Sequence, residues 1–261
     1  MVDNSSSIFE KAKLHPKSRV KHVIAVLSGK GGVGKSFVTA LLATHLTQEG
    51  FRVGILDADV LGPSIPKIFH LSGKAEGGEG YILPQMSRGE IQVISAAMLL
   101  DGHEEPILWR GPLVSDLVRQ FYTDVFWHEV DYLLIDMPPG TGDIALTTFQ
   151  KIPVSGIVIV TSPQQLVANI VAKAVKMASM LRIPVLGIVE NMAYVKCPHC
   201  GTIIDLFGSS YSKDLADRYH VPLLAQLPVM NEMSQIIDEG NFETMRIAEL
   251  EEAVKALIAL E

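Results

Sequence analysis

Apolar residues along this chain fall into two alternating arrangements. Short, nearly continuous apolar runs ("HVIAVLSG", "FRVGILDAD", "DYLLIDMPP", "SGIVIVTSP", "PVLGIVENM" and "VPLLAQLP") are bounded by turn residues. Between them lie stretches with helical spacing such as "KSFVTALLATHLTQEG". A strand with one wet face alternates apolar and polar positions. These runs do not, which is the mark of a parallel sheet covered by helices on both faces. The pattern predicts an α/β fold with a mostly parallel central sheet, in which the first helix is amphipathic and Gly50 closes it as its C-cap.

Two stretches break the alternation. "SGKAEGGEGYILPQMSRGEIQVIS" carries Gly-rich turns between two short β-like runs and predicts a hairpin extending the sheet edge. From Ala193 to Gly208 the helical period stops altogether. No linker rich in Pro, Gly or Ser divides the body, so residues 21–261 are expected to form one domain with a cysteine loop near 193–208, preceded by a mobile polar tail over 1–20. In the closing stretch "FETMRIAELEEAVKALIALE", Ile247, Leu250, Val254 and Leu257 form one stripe among glutamates, so this helix is expected to pack on its own domain rather than on an anionic membrane.

Composition narrows the picture. A chain of 261 residues, 48% hydrophobic, can bury a sizeable core without staples. Its net charge of −7 argues against general attraction to nucleic acid or anionic lipid, so neither is expected as a partner. There are two cysteines, Cys197 and Cys200, spaced as a metal or redox pair rather than as a bridge between distant segments, which suits a reducing compartment. With no run resembling a signal peptide or a membrane span, a cytoplasmic location is expected.

"SGKGGVGKS", residues 28–36, matches G-x-x-x-x-G-K-[ST] through Gly29, Gly34, Lys35 and Ser36, between an apolar strand and a helix. Glycines let successive N–H groups turn inward at phosphates, and the helix N-terminus adds positive potential. Lys35 would neutralise the β- and γ-oxygens, and Ser36 would ligate Mg2+. Gly29, Lys30, Gly31, Gly32, Val33, Gly34, Lys35, Ser36 and Phe37 are expected to surround the nucleotide.

The second lysine of the loop, Lys30 in K-G-G-V-G-K-S, resembles that of the deviant Walker A ATPases, which include MinD, ParA and the nitrogenase iron protein. The resemblance implies a P-loop NTPase fold and a dimer in which Lys30 reaches the partner's nucleotide. It also implies catalytic roles for Lys30 and Lys35. Asp136, in "DYLLIDMPPGTGD", looks like the Walker B aspartate that holds Mg2+ through water. By the same resemblance Asp59 in "ILDAD" orients the attacking water and Asp57 lies near the metal. No N-K-x-D element follows a late strand, so ATP is the expected nucleotide. Asn191 resembles the adenine-side asparagine, and the loop after Pro228 is expected to close over the base.

A tetrahedral zinc or an iron-sulfur cluster wants four protein ligands, and the chain offers one C-x-x-C pair. A homodimer duplicates it, so two chains would complete either a four-cysteine zinc site or a bridging [4Fe-4S] cluster. Together with "DADVLGPSIP", "WRGP" at Trp109–Pro112 and "DMPPGTGD", the stretch "ENMAYVKCPHCG" resembles the Mrp/Nbp35/ApbC ATPases, in that family's order from about residue 22 to 208. The resemblance implies an ATP-hydrolysing carrier that holds a cluster between subunits and passes it to apo-proteins. The chain lacks the N-terminal cysteine cluster of the Nbp35 type, so the shorter form is the comparison. Zn2+ remains an alternative occupant, and a ParA- or MinD-type partition ATPase with structural zinc the alternative function. His199 is expected to be a solvent-facing spacer.

Overall fold

The computed structural model describes residues 11–60, 62–99, 111–163, 168–206, 210–230 and 232–260. β1 (Arg19–Ser28) leads through the glycine loop into α1 (Lys35–Gln48), then β2 (Val53–Asp57) and the short α2 (Ile65–Ile68). Four brief strands follow: β3 (Gly77–Gly78), β4 (Tyr81–Ile82), β5 (Gln85–Met86) and β6 (Gln92–Ser95). The alternation then resumes with α3 (Gly111–Thr123), β7 (Glu129–Asp136), α4 (Asp143–Lys151), β8 (Gly156–Thr161), α5 (Ala168–Met180) and β9 (Val185–Glu190). β10 (Val195–Lys196) and β11 (Ile203–Ile204) precede α6 (Ser212–Tyr219), β12 (Leu223–Gln226), α7 (Met233–Asp238) and α8 (Glu251–Ile258).

The sheet has eight strands in the order β12-β9-β8-β1-β7-β2-β6-β5, parallel throughout except for β5, which runs antiparallel to β6. β2, β8 and seven of the eight residues of β7 are buried, as the uninterrupted apolar runs require when helices cover both faces. After β1 the chain builds outward to one side through β2 and β6. It then returns to insert β7, and finally lays β8, β9 and β12 on the other side. β1 is therefore the switch point, and the crevice beyond its carboxyl end is where such sheets place ligands.

The irregular insertion does extend the sheet, but differently from a simple hairpin. Its last run becomes β6, parallel to β2, and β5 folds back beside it as the edge, while β3 and β4 pair separately. α1 also departs from expectation: Val38 to Leu46 are all buried, so the helix has no wet face. Its outer side is roofed by α2, α8 and the turn at Phe242–Thr244, so even its polar Thr39, Thr44 and His45 are buried. Gly50 ends α1 with φ 90°, donating to Thr47 O while Phe51 N–H reaches back to Leu46 O, the paired bonds of a Schellman cap.

The stripe Ile247, Leu250, Val254 and Leu257 is buried against β9, β12 and α1, although α8 itself begins only at Glu251. The expected tail ends sooner than residue 20. Lys11 Nζ donates to Phe149 O (2.6 Å) and Ile152 O, and Ala12 N–H to Lys151 O, so the chain caps the carbonyl end of α4 from Lys11 onward. Residues 1–10 of that tail lie outside the described residues, as do Trp109 and Arg110 of the W-R-G-P motif. Among the described residues no helix is long and apolar enough to cross a membrane.

Candidate functional site

The glycine loop follows β1 directly, and α1 begins at its end. Ser28 Oγ donates to Lys30 O (3.1 Å), and Gly34, with φ 78°, sets the turn into the helix. A side chain at Gly34 would be strained by that φ. It would also collide with Asn191, whose Nδ2 lies 2.2 Å from the position a Cβ would take. A cavity of about 330 Å³ opens over the loop, lined by Lys30 to Phe37 together with Asp59, Gly62, Ser64, Ile68 and Pro139.

A charge cluster forms the cavity floor. Lys35 Nζ is 2.7 Å from Asp136 Oδ1 and 3.9 Å from Asp59 Oδ2, and Ser36 Oγ donates to Asp136 Oδ2 (2.6 Å). Thr39 Oγ1, one turn along α1, stands 2.9 Å from Asp136 Oδ1. Asp136, fully buried, is thus met by one ammonium and two hydroxyls, the condition under which a buried carboxylate is tolerated. The hydroxyl of Ser36 beside this carboxylate is a hard-oxygen pair that fits Mg2+.

Asp57 occupies the register position next to Asp136 on the neighbouring strand. It lies below the cavity instead of lining it: Ser95 Oγ donates to its Oδ2 (2.9 Å) and the Asp59 N–H to its Oδ1 (3.1 Å). Burial, and next the Asp136 charge, push its carboxyl up to about 8. Asn191 is buried, and its Nδ2 donates to Val33 O (3.0 Å), so in this structure its amide braces the phosphate loop from below. Pro228 follows β12 at the same edge, where Leu227 N–H bonds Glu190 O and Val229 N–H bonds Tyr194 O. Neither Asn191 nor Pro228 lines the cavity.

Cys197 and Cys200 stand apart from this cluster, on a small hairpin. β10 and β11 pair Val195 with Ile204 and Lys196 with Ile203, Cys197 N–H donates to Thr202 O, and Gly201 N–H donates to Cys197 O (both 2.9 Å). Both thiols are free, Cys200 exposed and Cys197 partly so. The Thr202 hydroxyl, 3.1 Å from Cys200 Sγ, lowers the Cys200 thiol pKa, and the neighbouring Cys197 acts in the same direction. His199 is exposed. Among the described residues no group of three or more His, Cys, Asp or Glu side chains gathers into a metal site. Ile203, Ile204, Leu206 and Tyr211 expose large apolar surfaces on and just beyond the hairpin.

Sequence reasoning missed Thr39, Ser95, the loop residues Gly62 and Ser64, and Ile68 of α2. Thr39 had a signal, since helical spacing puts it on the face of Lys35 and Ser36. Ser95 had only its place at the end of an apolar run.

Comparison with known proteins places these features in context. The ParA-group model described as NUBPL iron-transfer P-loop NTPase matches residues 19–260. An iron-sulfur cluster carrier protein of Clostridium perfringens is 43% identical over 232 residues, 86% of this chain and 81% of the relative. One of Methanocaldococcus jannaschii is 44% identical over 225 residues, covering 85% and 78%. The solved nucleotide-binding protein of Archaeoglobus fulgidus, in complex with ADP, shares 44% identity and superposes with a TM-score of 0.79 over 89% of this chain and 91% of that one. The cell division ATPase MinD of Pyrococcus furiosus, 18% identical with a TM-score of 0.65 over 92% and 99%, shares the fold.

Proposed function

This chain belongs to the NUBPL-type iron-transfer P-loop NTPases, and from that premise we propose that it is an ATP-binding and ATP-hydrolysing carrier that holds a [4Fe-4S] cluster between two copies of itself and passes it to apo-proteins. The observation that carries this reading is the half-complete thiol pair. Cys197 and Cys200 present two ligands on one exposed hairpin, with no third ligand gathered beside them among the described residues. A twofold axis beside the hairpin supplies the other two and covers Ile203, Ile204 and Leu206. The free thiols also suit the reducing cytoplasm.

In the nucleotide site Lys35 and Lys30 neutralise phosphate charge, Ser36 and Asp136 would hold Mg2+, which supplies charge neutralisation at the phosphates, and Asp57 anchors the turn that presents Asp59. Asp59 orients water toward the phosphate, and Lys30 acts across the dimer. Phe37 stands at the cavity wall, edge-on to Phe242, while a base-side role for Asn191 and the loop after Pro228 rests on the family resemblance alone. The test is anaerobic reconstitution with iron and sulfide, followed by incubation with an apo-ferredoxin-type acceptor. The reading expects a cluster absorption band on the carrier that moves to the acceptor. Protein that takes up zinc alone, or iron that never leaves it, contradicts the carrier role.

A further inference from the structure

Glu190, fully buried at the end of β9, takes no part in the nucleotide cluster, yet three side chains converge on its carboxylate. Ser210 Oγ lies 2.7 and 2.8 Å from its two oxygens, Ser212 Oγ donates to Oε1 (2.7 Å), and Gln226 Nε2 donates to Oε2 (2.6 Å). The first two partners sit where the chain returns from the cysteine hairpin. The outgoing side of that hairpin is fixed nearby: Ala193 N–H bonds Leu227 O, and Leu227 N–H bonds Glu190 O. Both ends of the excursion bearing Cys197 and Cys200 therefore converge on one residue.

The next residue is Asn191. Its amide fills the space beside Gly34 and holds Val33 O, so a rearrangement of the phosphate loop at these residues bears on it directly. One peptide bond separates the side chain under the phosphates from the side chain clamping the cysteine hairpin. We propose that Glu190 is a positioning residue that transmits the nucleotide state of the phosphate loop to the cysteine hairpin. The two-residue strands of that hairpin have little rigidity of their own, so the orientation of its thiols follows the clamp. Three hydrogen-bond donors converging on one buried carboxylate form a joint with a defined geometry, and rigid contacts of this kind carry coupling between sites. The inference deepens the carrier reading and rests on it for its purpose, but its test needs no cluster.

Because the chain has only two cysteines, thiol alkylation reports on this hairpin alone. Reduced, metal-free protein is treated with iodoacetamide with and without a hydrolysis-resistant Mg·ATP analogue. Wild-type rates should differ about fivefold or more between the two conditions, in the usual range of coupling between sites. In Glu190→Gln, whose amide presents a donor to groups that already donate, the ratio should fall to near one while analogue affinity stays within about twofold. A merely structural Glu190 would change both rates together and leave the ratio intact. That result, or a wild-type rate indifferent to nucleotide, overturns the proposal. If Glu190→Gln does not fold, Ser212→Ala removes one arm of the clamp and must lower the ratio, and an unchanged ratio there is equally fatal. The carrier reading fails separately, on absent iron loading, whichever way the thiols behave.

Discussion

The nucleotide pocket and the cysteine hairpin are built on opposite principles. In the pocket every charge has a partner from the same chain: Lys35 meets Asp136, Ser36 and Thr39 complete that carboxylate, and Ser95 supports Asp57. All of it hangs from β1, β2, β6, β7 and α1 in the middle of the fold. The hairpin rests on strands of two residues, carries two exposed or half-exposed thiols, and shows apolar side chains to the outside. A site whose groups satisfy one another is a property of the single chain. One that offers two thiols beside an apolar patch is what the proposed reading completes with a second copy.

The largest effect that would break this contrast lies at the hairpin. On the dimer account Cys197→Ser removes two of four ligands at once, so iron and sulfide analysis after anaerobic reconstitution should find no cluster on either chain, where a single-chain site would keep partial occupancy. ATP binding should persist in that variant. Lys35→Ala attacks the other region. Calorimetry should show ATP affinity falling by on the order of 10²-fold, as expected when one member of a hydrogen-bonded charge pair is removed. The same change strands Asp136, fully buried, with hydroxyls alone, so urea unfolding of the nucleotide-free protein should show a loss of about 3–5 kcal/mol. Wild-type stability in that variant would mean the buried cluster is less interdependent than its distances imply.

The contrast was unevenly legible in the sequence. The phosphate loop and the strands around it have local signatures, glycines at fixed offsets and short apolar runs, and the chain places them as those signatures demand. The enclosure of α1 on every side was not legible, because it depends on what α2 and α8 do far along the chain. Nor was the partnership of Asp57 with Ser95, 38 positions apart and joined only because β2 and β6 lie side by side. Glu190 drew no reading from the sequence, because Ser210, Ser212 and Gln226 meet it only in the fold. The C-x-x-C pair itself was readable at once, and its completion by a second chain is the proposal.

Smaller changes sharpen the description of the pocket. Asp59→Asn should leave ATP affinity nearly unchanged and slow turnover by about 10²-fold, because a water-orienting group acts on the transition state more than on the ground state. Unchanged steady-state phosphate release would remove Asp59 from the mechanism. Asp57 supplies the subtlest effect. Its carboxyl, pushed up to about 8 in the fold, titrates near about 3.9 when unfolded, so between those values the folded chain holds the extra proton. Its contribution to stability is full below about pH 4 and is lost as pH rises through about 8. Urea midpoints of the nucleotide-free protein at pH 5.5 and 8 should therefore fall farther for wild type than for Asp57→Asn, and parallel profiles would contradict the buried, proton-holding arrangement.

The central claim is that the cluster belongs to two chains rather than one. Native mass in solution, taken with iron and sulfide content on the same anaerobic sample, addresses it directly. The account predicts that loading converts the protein to a dimer with about four irons per pair of chains, and that Cys197→Ser prevents both changes together. A strictly monomeric protein carrying its own full metal complement, with Cys197 and Cys200 both engaged, would contradict it.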